Sequence, residues 1–143
     1  MVIPFYIHGG YMTFKNNKHA ERFFSALSNV NIDSIDRELM ATLCLLTSYK
    51  RIWKQFEKHF DEKNGICPAA FDCFEPHNET EEAIVTAAYD ILFCSDCINL
   101  TDLTDKDSIP DKAFLAICHA IGYIRYGFDD EPNEYSGNNF FNK

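Results

Sequence analysis

Apolar residues recur at three- and four-residue intervals along most of this chain, and this spacing restricts its fold more than any other feature. Such spacing places apolar side chains on one face of an α-helix. The sequence therefore predicts a mainly α fold, a single compact domain of four to five helices. The first two predicted helical segments run from about residue 17 to 27 and from 33 or 34 to about 56. The last two run from 78 or 80 to about 92 and from the 108–111 cap to near 127.

Polar residues that favour helix N-termini precede each segment. The candidate caps are Asn17, Asp33 or Ser34, Asn78 or Thr80, and the Ser-Ile-Pro-Asp sequence at 108–111. Residues 48–49 interrupt the second segment without Gly or Pro, so two helices and one bent helix both remain open.

Two stretches lack helical spacing. Residues 61–78 contain Gly65, Pro68 and Pro76, and at this length a structureless loop is uncommon, so we expect a short strand or helical turn within them. Residues 98–105 are predicted to form a connector held by three aliphatic side chains.

The last predicted helix has the strongest apolar face. Phe114, Ile117, Cys118, Ile121 and Ile124 recur at helical intervals. We expect this face in the core, opposite the apolar residues of the earlier helices. The other expected core residues are Phe23, Leu27, Leu39, Leu43, Leu46, Ile52, Ile84 and Ile91.

Three regions are expected along the chain: an N-terminal arm or strand at 1–11, a helical domain at 12–127 and an acidic tail at 128–143. Residues 2–7 are apolar and end at two glycines, which is typical of a short strand. Met12 is an alternative start, so 1–11 need not belong to the native product. Near its end the tail contains Phe140 and Phe141, which we expect to dock on the core rather than on a partner.

Charge is distributed unevenly. Residues 1–60 contain eight Lys/Arg and five Asp/Glu, whereas residues 61–143 contain five Lys/Arg and seventeen Asp/Glu. A field of this sign repels nucleic acid and anionic membranes and attracts basic protein surfaces. We therefore expect a basic protein partner, with no direct nucleic-acid or membrane binding. There is no long apolar span and no basic, apolar start typical of an export signal, so a cytoplasmic location with reduced cysteines is expected.

No common catalytic motif is present. The chain lacks a Walker A loop, a GxSxG sequence and a glycine-rich dinucleotide turn, so we expect no cofactor and no catalytic residues. The histidines share no metal-binding spacing and are expected at the surface or half-buried. Cys94 and Cys97 have zinc-like spacing, with Cys67, Cys73 and His77 as further donors, but buried structural cysteines are the favoured interpretation.

The acidic residues are the favoured candidates for binding. Carboxylates spaced along a helix and its neighbouring loops can present charge as a phosphate backbone does, and aromatic residues beside them can anchor a partner. The predicted partner surface comprises Glu79, Glu81, Glu82, Asp102, Asp105, Asp107, Tyr123, Tyr126, Asp129, Asp130 and Glu131, with Tyr135 and Phe140 as further aromatic candidates.

The stretch MTFKNNKHAERFF at 12–24 resembles the opening of a family of short uncharacterised proteins from Gram-positive bacteria and their mobile elements. NLTDL at 99–103 and AIGYIRYG at 120–127 are similar to its second half, so the resemblance covers residues 12–127. It implies an all-helical fold and a plasmid, prophage or conjugative-element setting. The family is a domain of unknown function and implies no catalytic residue. Residues 64–80 depart from its pattern, and the tail lies outside it.

Together these observations predict a non-enzymatic, acidic interaction protein. Its most concrete form is a mobile-element or phage inhibitor that blocks a basic nucleic-acid-binding surface of a host protein, such as a CRISPR effector nuclease. The alternative is a small zinc-stabilised module or metal-dependent enzyme that uses Cys94 and Cys97 or the carboxylates at 102–107. A self-associating structural protein, such as a homodimer, is a third alternative.

Overall fold

The computed structural model describes residues 3–7 and 10–127, with side chains from residue 13 onward. In this part of the chain five helices have seven residues or more, so the predicted mainly α fold is confirmed. The helices are α1 Asn17–Ala26, α2 Arg37–Leu46, α3 Lys50–Phe56, α4 Pro68–Cys73, α5 Glu79–Phe93, α6 Leu100–Leu103 and α7 Asp111–Tyr126. The strands are β1 Ile3–Ile7, β2 Gly10–Phe14, β3 Phe60–Asp61 and β4 Gly65–Ile66.

The N-terminus forms an antiparallel hairpin. Strand β1 pairs with β2 from Ile3 opposite Phe14 to Ile7 opposite Gly10. The strand expected within residues 2–7 is therefore present. The predicted boundary between residues 11 and 12 falls inside β2, and this correction joins the arm to the start of the helical domain.

Helix α2 lies at the centre of the core. All of its residues from Leu39 to Leu46 are buried, and it packs against both α5 and α7, which also contact each other. The break at 48–49 separates two helices, α2 and α3. Thr47 and Ser48 end α2, because their hydroxyls donate to the carbonyls of Leu43 and Leu45.

The helix caps follow the expected chemistry, with small shifts along the chain. The side chain of Asn16, one residue before the predicted cap, accepts the His19 N–H of α1 at 2.9 Å. Asp36 caps α2 in place of the predicted Asp33 or Ser34, which lie in a separate 3₁₀ turn. Asn78 caps α5 as predicted.

Residues 61–78 contain both kinds of element that their length suggested. Strands β3 and β4, which have two residues each, form a small antiparallel hairpin, and α4 follows directly. The connector at 98–105 contains the short helix α6, which the apolar spacing did not indicate. A reciprocal capping box between Asn99 and Asp102 stabilises its first turn.

The buried face of α7 differs from the predicted one. Phe114 and Ile121 are exposed, whereas the buried residues are Ala113, Ile117, Ala120 and Tyr123. The two alanines allow α7 to approach α2 and α5 closely, and this leaves the larger side chains outside. The prediction is therefore correct for Ile117 and wrong for Phe114 and Ile121.

Tyr123 joins the last described helix to the N-terminal hairpin. Its hydroxyl accepts the backbone N–H of Thr13 and donates to the Thr13 carbonyl oxygen at 2.5 Å. Both bonds are partly buried and connect residues 110 positions apart. This double hydrogen bond holds β2 against α7.

We expect Tyr123→Phe to lower the free energy of unfolding by about 1–3 kcal/mol, because the backbone groups of Thr13 lose their partner. Hydrogen exchange should also accelerate for the amides of residues 10–14. Urea unfolding and amide exchange measure the two effects. Tyr89→Phe is the control, since the Tyr89 ring packs on Phe71 and Phe93 and should change stability by less than about 0.5 kcal/mol. Unchanged exchange in Tyr123→Phe would contradict the assigned role.

Candidate functional site

The first acidic patch lies on the opening turn of α5. Glu79 and Glu82 are both exposed there, directly after the Asn78 cap. Carboxylates in this position interact favourably with the positive end of the helix dipole, which stabilises the helix without neutralising the surface. These two side chains remain available to a basic partner.

Glu81, in the same turn, is not available. It is only 5% exposed, and its carboxylate pairs with the Arg51 guanidinium and accepts the His77 N–H at 2.9 Å. Arg51 also donates to the Glu75 carbonyl at 3.0 Å. The placement of Glu81 on the partner surface is therefore wrong: its pair with Arg51 fastens α3 to the start of α5.

The second acidic patch lies between α6 and α7. Asp105 and Asp107 are exposed, while Asp102 is half-buried in the capping box of α6. Asp105 accepts the Asp107 N–H at 2.9 Å and the Ser108 hydroxyl at 3.0 Å. The bond from the Asp107 N–H, followed by that from Ser108, holds the pKa of Asp105 below its usual value, so this carboxylate stays charged.

The two patches lie near opposite ends of α5. This helix has 15 residues, which corresponds to a length of about 22 Å. The turn after α5 folds back onto Asp90, whose carboxylate accepts the N–H groups of Cys97 and Ile98 at 3.0 and 2.8 Å. Because α6 begins two residues later, the Asp102–Asp107 patch stays near this end of α5. The structure therefore presents separate acidic patches rather than one continuous cluster.

Asp90 was not among the residues singled out from the sequence, although it organises this turn. Burial alone would raise its pKa, but hydrogen bonds from Ser95, Ile98 and Cys97 outweigh burial and lower it. No spacing rule identifies such a residue, because its partners lie five to eight positions later in irregular backbone.

The predicted aromatic anchors differ in their accessibility. Tyr123 is buried beneath the N-terminal hairpin, so its assignment to the partner surface is wrong. Tyr126 is half-buried, and its ring lies 5.6 Å from the Arg125 guanidinium carbon. Asp129, Asp130, Glu131, Tyr135 and the Phe140–Phe141 pair lie outside the described residues.

The cysteines do not form a metal site in the part of the chain that the structure describes. No group of three or more His, Cys, Asp or Glu side chains there could hold a metal ion. Cys94 and Cys97 are exposed, not buried as the favoured interpretation had it. Hydrogen bonding to Asp90, then the charge of Asp90, raises the pKa of the Cys97 thiol, which disfavours the reactive thiolate.

Compared with known proteins, the chain matches no family model, no curated protein and no solved structure. The resemblance to an uncharacterised mobile-element family therefore stays a prediction. Among the residues described, none of the helices has the length and apolar character needed to cross a bilayer.

Proposed function

We propose that this chain is a non-enzymatic interaction protein whose acidic patches bind a basic surface of another protein. The observation that carries the proposal is the excess of exposed carboxylates in the second half of the chain. Between residues 61 and 127, ten exposed Asp/Glu side chains compare with four exposed Lys/Arg. This imbalance attracts a basic protein and accelerates the encounter, especially at low salt.

In its most concrete form, the partner is a nucleic-acid-handling protein and the chain occupies the groove that nucleic acid would enter. Basic surfaces that bind phosphates are the surfaces most attracted to clustered carboxylates. A CRISPR effector nuclease has such a channel, and a mobile element would benefit from blocking it. The resemblance of residues 12–24 to mobile-element proteins favours this setting.

The zinc or metal-enzyme alternative has less support. Asp102 and Asp105 each accept hydrogen bonds from neighbouring backbone, which uses part of their capacity to bind a cation. Metal analysis of the purified protein tests the alternative directly. Stoichiometric zinc that is lost in Cys94→Ser would replace the proposal with the zinc-stabilised module.

The test of the proposal is capture of partners from bacterial lysate at low and high salt, followed by displacement of labelled DNA or RNA from the purified partner. We expect a basic nucleic-acid-binding protein that dissociates as salt rises, and displacement of its nucleic acid by the chain. Glu79→Gln/Glu82→Gln neutralises the first patch, and Asp105→Asn/Asp107→Asn neutralises the second. The double variant of the patch that contacts the partner should weaken binding about tenfold.

Glu21→Gln/Glu38→Gln is the matched control, because it removes the same charge from exposed positions in the first half of the chain. Glu21 forms an exposed ion pair with Lys18 at 3.7 Å, which contributes little to stability. Equal weakening by all three double variants would indicate a general charge effect and contradict the patches. Binding that is unchanged at high salt would contradict the electrostatic basis of the proposal.

A further inference from the structure

A cavity of about 380 Å³ opens between the end of α1, the end of α3 and strand β3. A cavity of this size is within the range that proteins use for small ligands or single side chains. Its lining residues lie between positions 25 and 62, so they include none of the residues of the two acidic patches. No motif in the sequence indicated it, because its walls come from three separate segments.

Two aromatic rings form part of its wall. The ring centroids of Trp53 and Phe60 lie 6.4 Å apart, with an angle of 55° between their planes. Trp53 is only 7% exposed, so the protein holds its indole fixed, whereas Phe60 is partly exposed. Phe60 is therefore the more accessible of the two rings, and a flat cation in the cavity can lie against it, beside Trp53.

Three acidic residues are also among those that line the cavity. Glu57, Asp61 and Glu62 are all exposed, and Glu62 accepts the backbone N–H of Asn31 at 2.5 Å. Asp61 accepts the Asn64 N–H at 2.7 Å and has Lys63 as a neighbouring cation. Among the described side chains, the salt bridges are Lys18–Glu21 and Arg51–Glu81, and neither reaches the cavity.

Backbone carbonyl groups add to the negative potential. Helices α1 and α3 end at Ala26 and Phe56, and Ala26 and Glu57 both line the cavity. The C-terminal end of a helix carries a partial negative charge that favours a cation nearby. The last turn of α1 contains no basic residue, whereas the last turn of α3 contains Lys54.

We propose that this cavity binds the guanidinium group of an arginine side chain from the partner protein, between the Trp53–Phe60 rings and the carboxylates of Glu57 and Asp61. This inference rests on the proposed function, since it assigns the residue type by which a basic partner is recognised. It also gives residues 25–62 a role in binding that the two acidic patches do not provide.

Arginine fits this cavity better than lysine does. A guanidinium group is planar, stacks on aromatic rings and donates paired hydrogen bonds to carboxylates, whereas an ammonium group is compact and more strongly hydrated. The combination of fixed rings with several carboxylates on one side of a cavity therefore selects for arginine over lysine.

Trp53 supplies the signal for the test, because it is the only tryptophan of the chain. The probes are the blocked peptides Ac-Gly-Arg-Gly-NH2, its lysine counterpart and its citrulline counterpart, which has nearly the same shape without the charge. We expect the arginine peptide to change Trp53 emission saturably. The lysine peptide should bind about fivefold more weakly, and the citrulline peptide at least tenfold more weakly.

Glu57→Gln should weaken binding of the arginine peptide about five- to tenfold, while Glu38→Gln, an exposed carboxylate outside the cavity and outside both acidic patches, should leave it unchanged. The proposal would be overturned if the arginine and citrulline peptides bound with equal affinity, or if Glu57→Gln did not change the affinity for the arginine peptide. Tighter binding of free L-arginine than of the peptide would show that the cavity serves a small molecule, which would overturn the assignment to a partner.

The experiments distinguish failure of the proposed function from failure of the cavity assignment. The cavity assignment alone would be overturned if a basic partner were captured in a salt-dependent way but Trp53 emission did not change in the arginine titration. Saturable arginine binding without any nucleic-acid-binding partner in the lysate would overturn the proposed function and the partner assignment, and would leave a guanidinium site.

Discussion

Ile117→Asp is expected to abolish cooperative unfolding, because it places a carboxylate where α7 meets α2 and α5. Ile117 is 3% exposed, so the new charge would be removed from water in an apolar core. Substitutions of this kind cost more than about 4 kcal/mol, a large part of the roughly 5–15 kcal/mol that stabilises a typical domain. Thermal and urea unfolding followed by circular dichroism measure the effect.

Ile121→Asp is the matched control, one turn further along the same helix. Ile121 is 46% exposed, so its carboxylate would remain in water and stability should change by less than about 0.5 kcal/mol. The pair distinguishes the buried part of the predicted apolar face of α7 from the part that the structure leaves exposed. If Ile117→Asp unfolded like the parent while Ile121→Asp did not, the orientation of α7 would be reversed.

Acidification between pH 6.5 and 4 is expected to lower stability by about 3 kcal/mol through His19. The side chain is 4% exposed, its Nδ1 accepts the Lys15 N–H at 3.2 Å, and its Nε2 donates to the Cys44 carbonyl at 2.8 Å. These bonds require a neutral imidazole. The expectation that the histidines lie at the surface or half-buried is therefore wrong for His19.

The direction of this pH effect follows from the difference between the pKa of His19 in the folded chain and its pKa in the unfolded chain. Burial lowers the pKa to about 4 from 6.5, with smaller contributions from Arg22 and Lys15, although the bond to Cys44 opposes the shift. Below pH 6.5 the unfolded chain takes up a proton that the folded chain does not, so the stabilisation is complete above pH 6.5 and decreases toward pH 4. Urea unfolding at half-unit steps of pH measures it.

His19→Gln is the informative variant. It should be less stable than the parent at pH 7.5 by about 1–3 kcal/mol, because the buried partners of the imidazole are left unsatisfied. Its stability should nevertheless change less between pH 6.5 and 4. Burial also lowers the pKa of His119, so His119→Gln separates that smaller contribution. A parent profile that is flat over this range would contradict the neutral, buried state of His19.

Much of the fold could be predicted from sequence because its helices begin at polar caps and contain apolar residues at regular intervals. The orientation of α7 could not, since this helix is apolar on nearly every side. Its periodicity favoured the bulky Phe114 and Ile121, whereas close packing selected Ala113 and Ala120. Helix α6 was predictable in principle, because Asn99 and Asp102 have the spacing of a capping box.

The candidate site was less predictable than the fold. Net charge identified the acidic second half, but it does not distinguish an exposed carboxylate from Glu81, whose partner Arg51 is 30 positions earlier. The aromatic cavity was not apparent at all. Trp53 and Phe60 are close in sequence, but Ala26 comes from another helix, and only the packing of α1 on α3 brings them together.

The hydrogen bonds between Tyr123 and Thr13 also constrain how the chain folds during its synthesis. A ribosome adds roughly 5–20 residues per second, so α7 follows α2 by several seconds. Until then the buried residues of α2 lack one of their two main packing partners, and the N-terminal hairpin lacks its attachment. The complete native core therefore closes only after translation of α7, the last described helix.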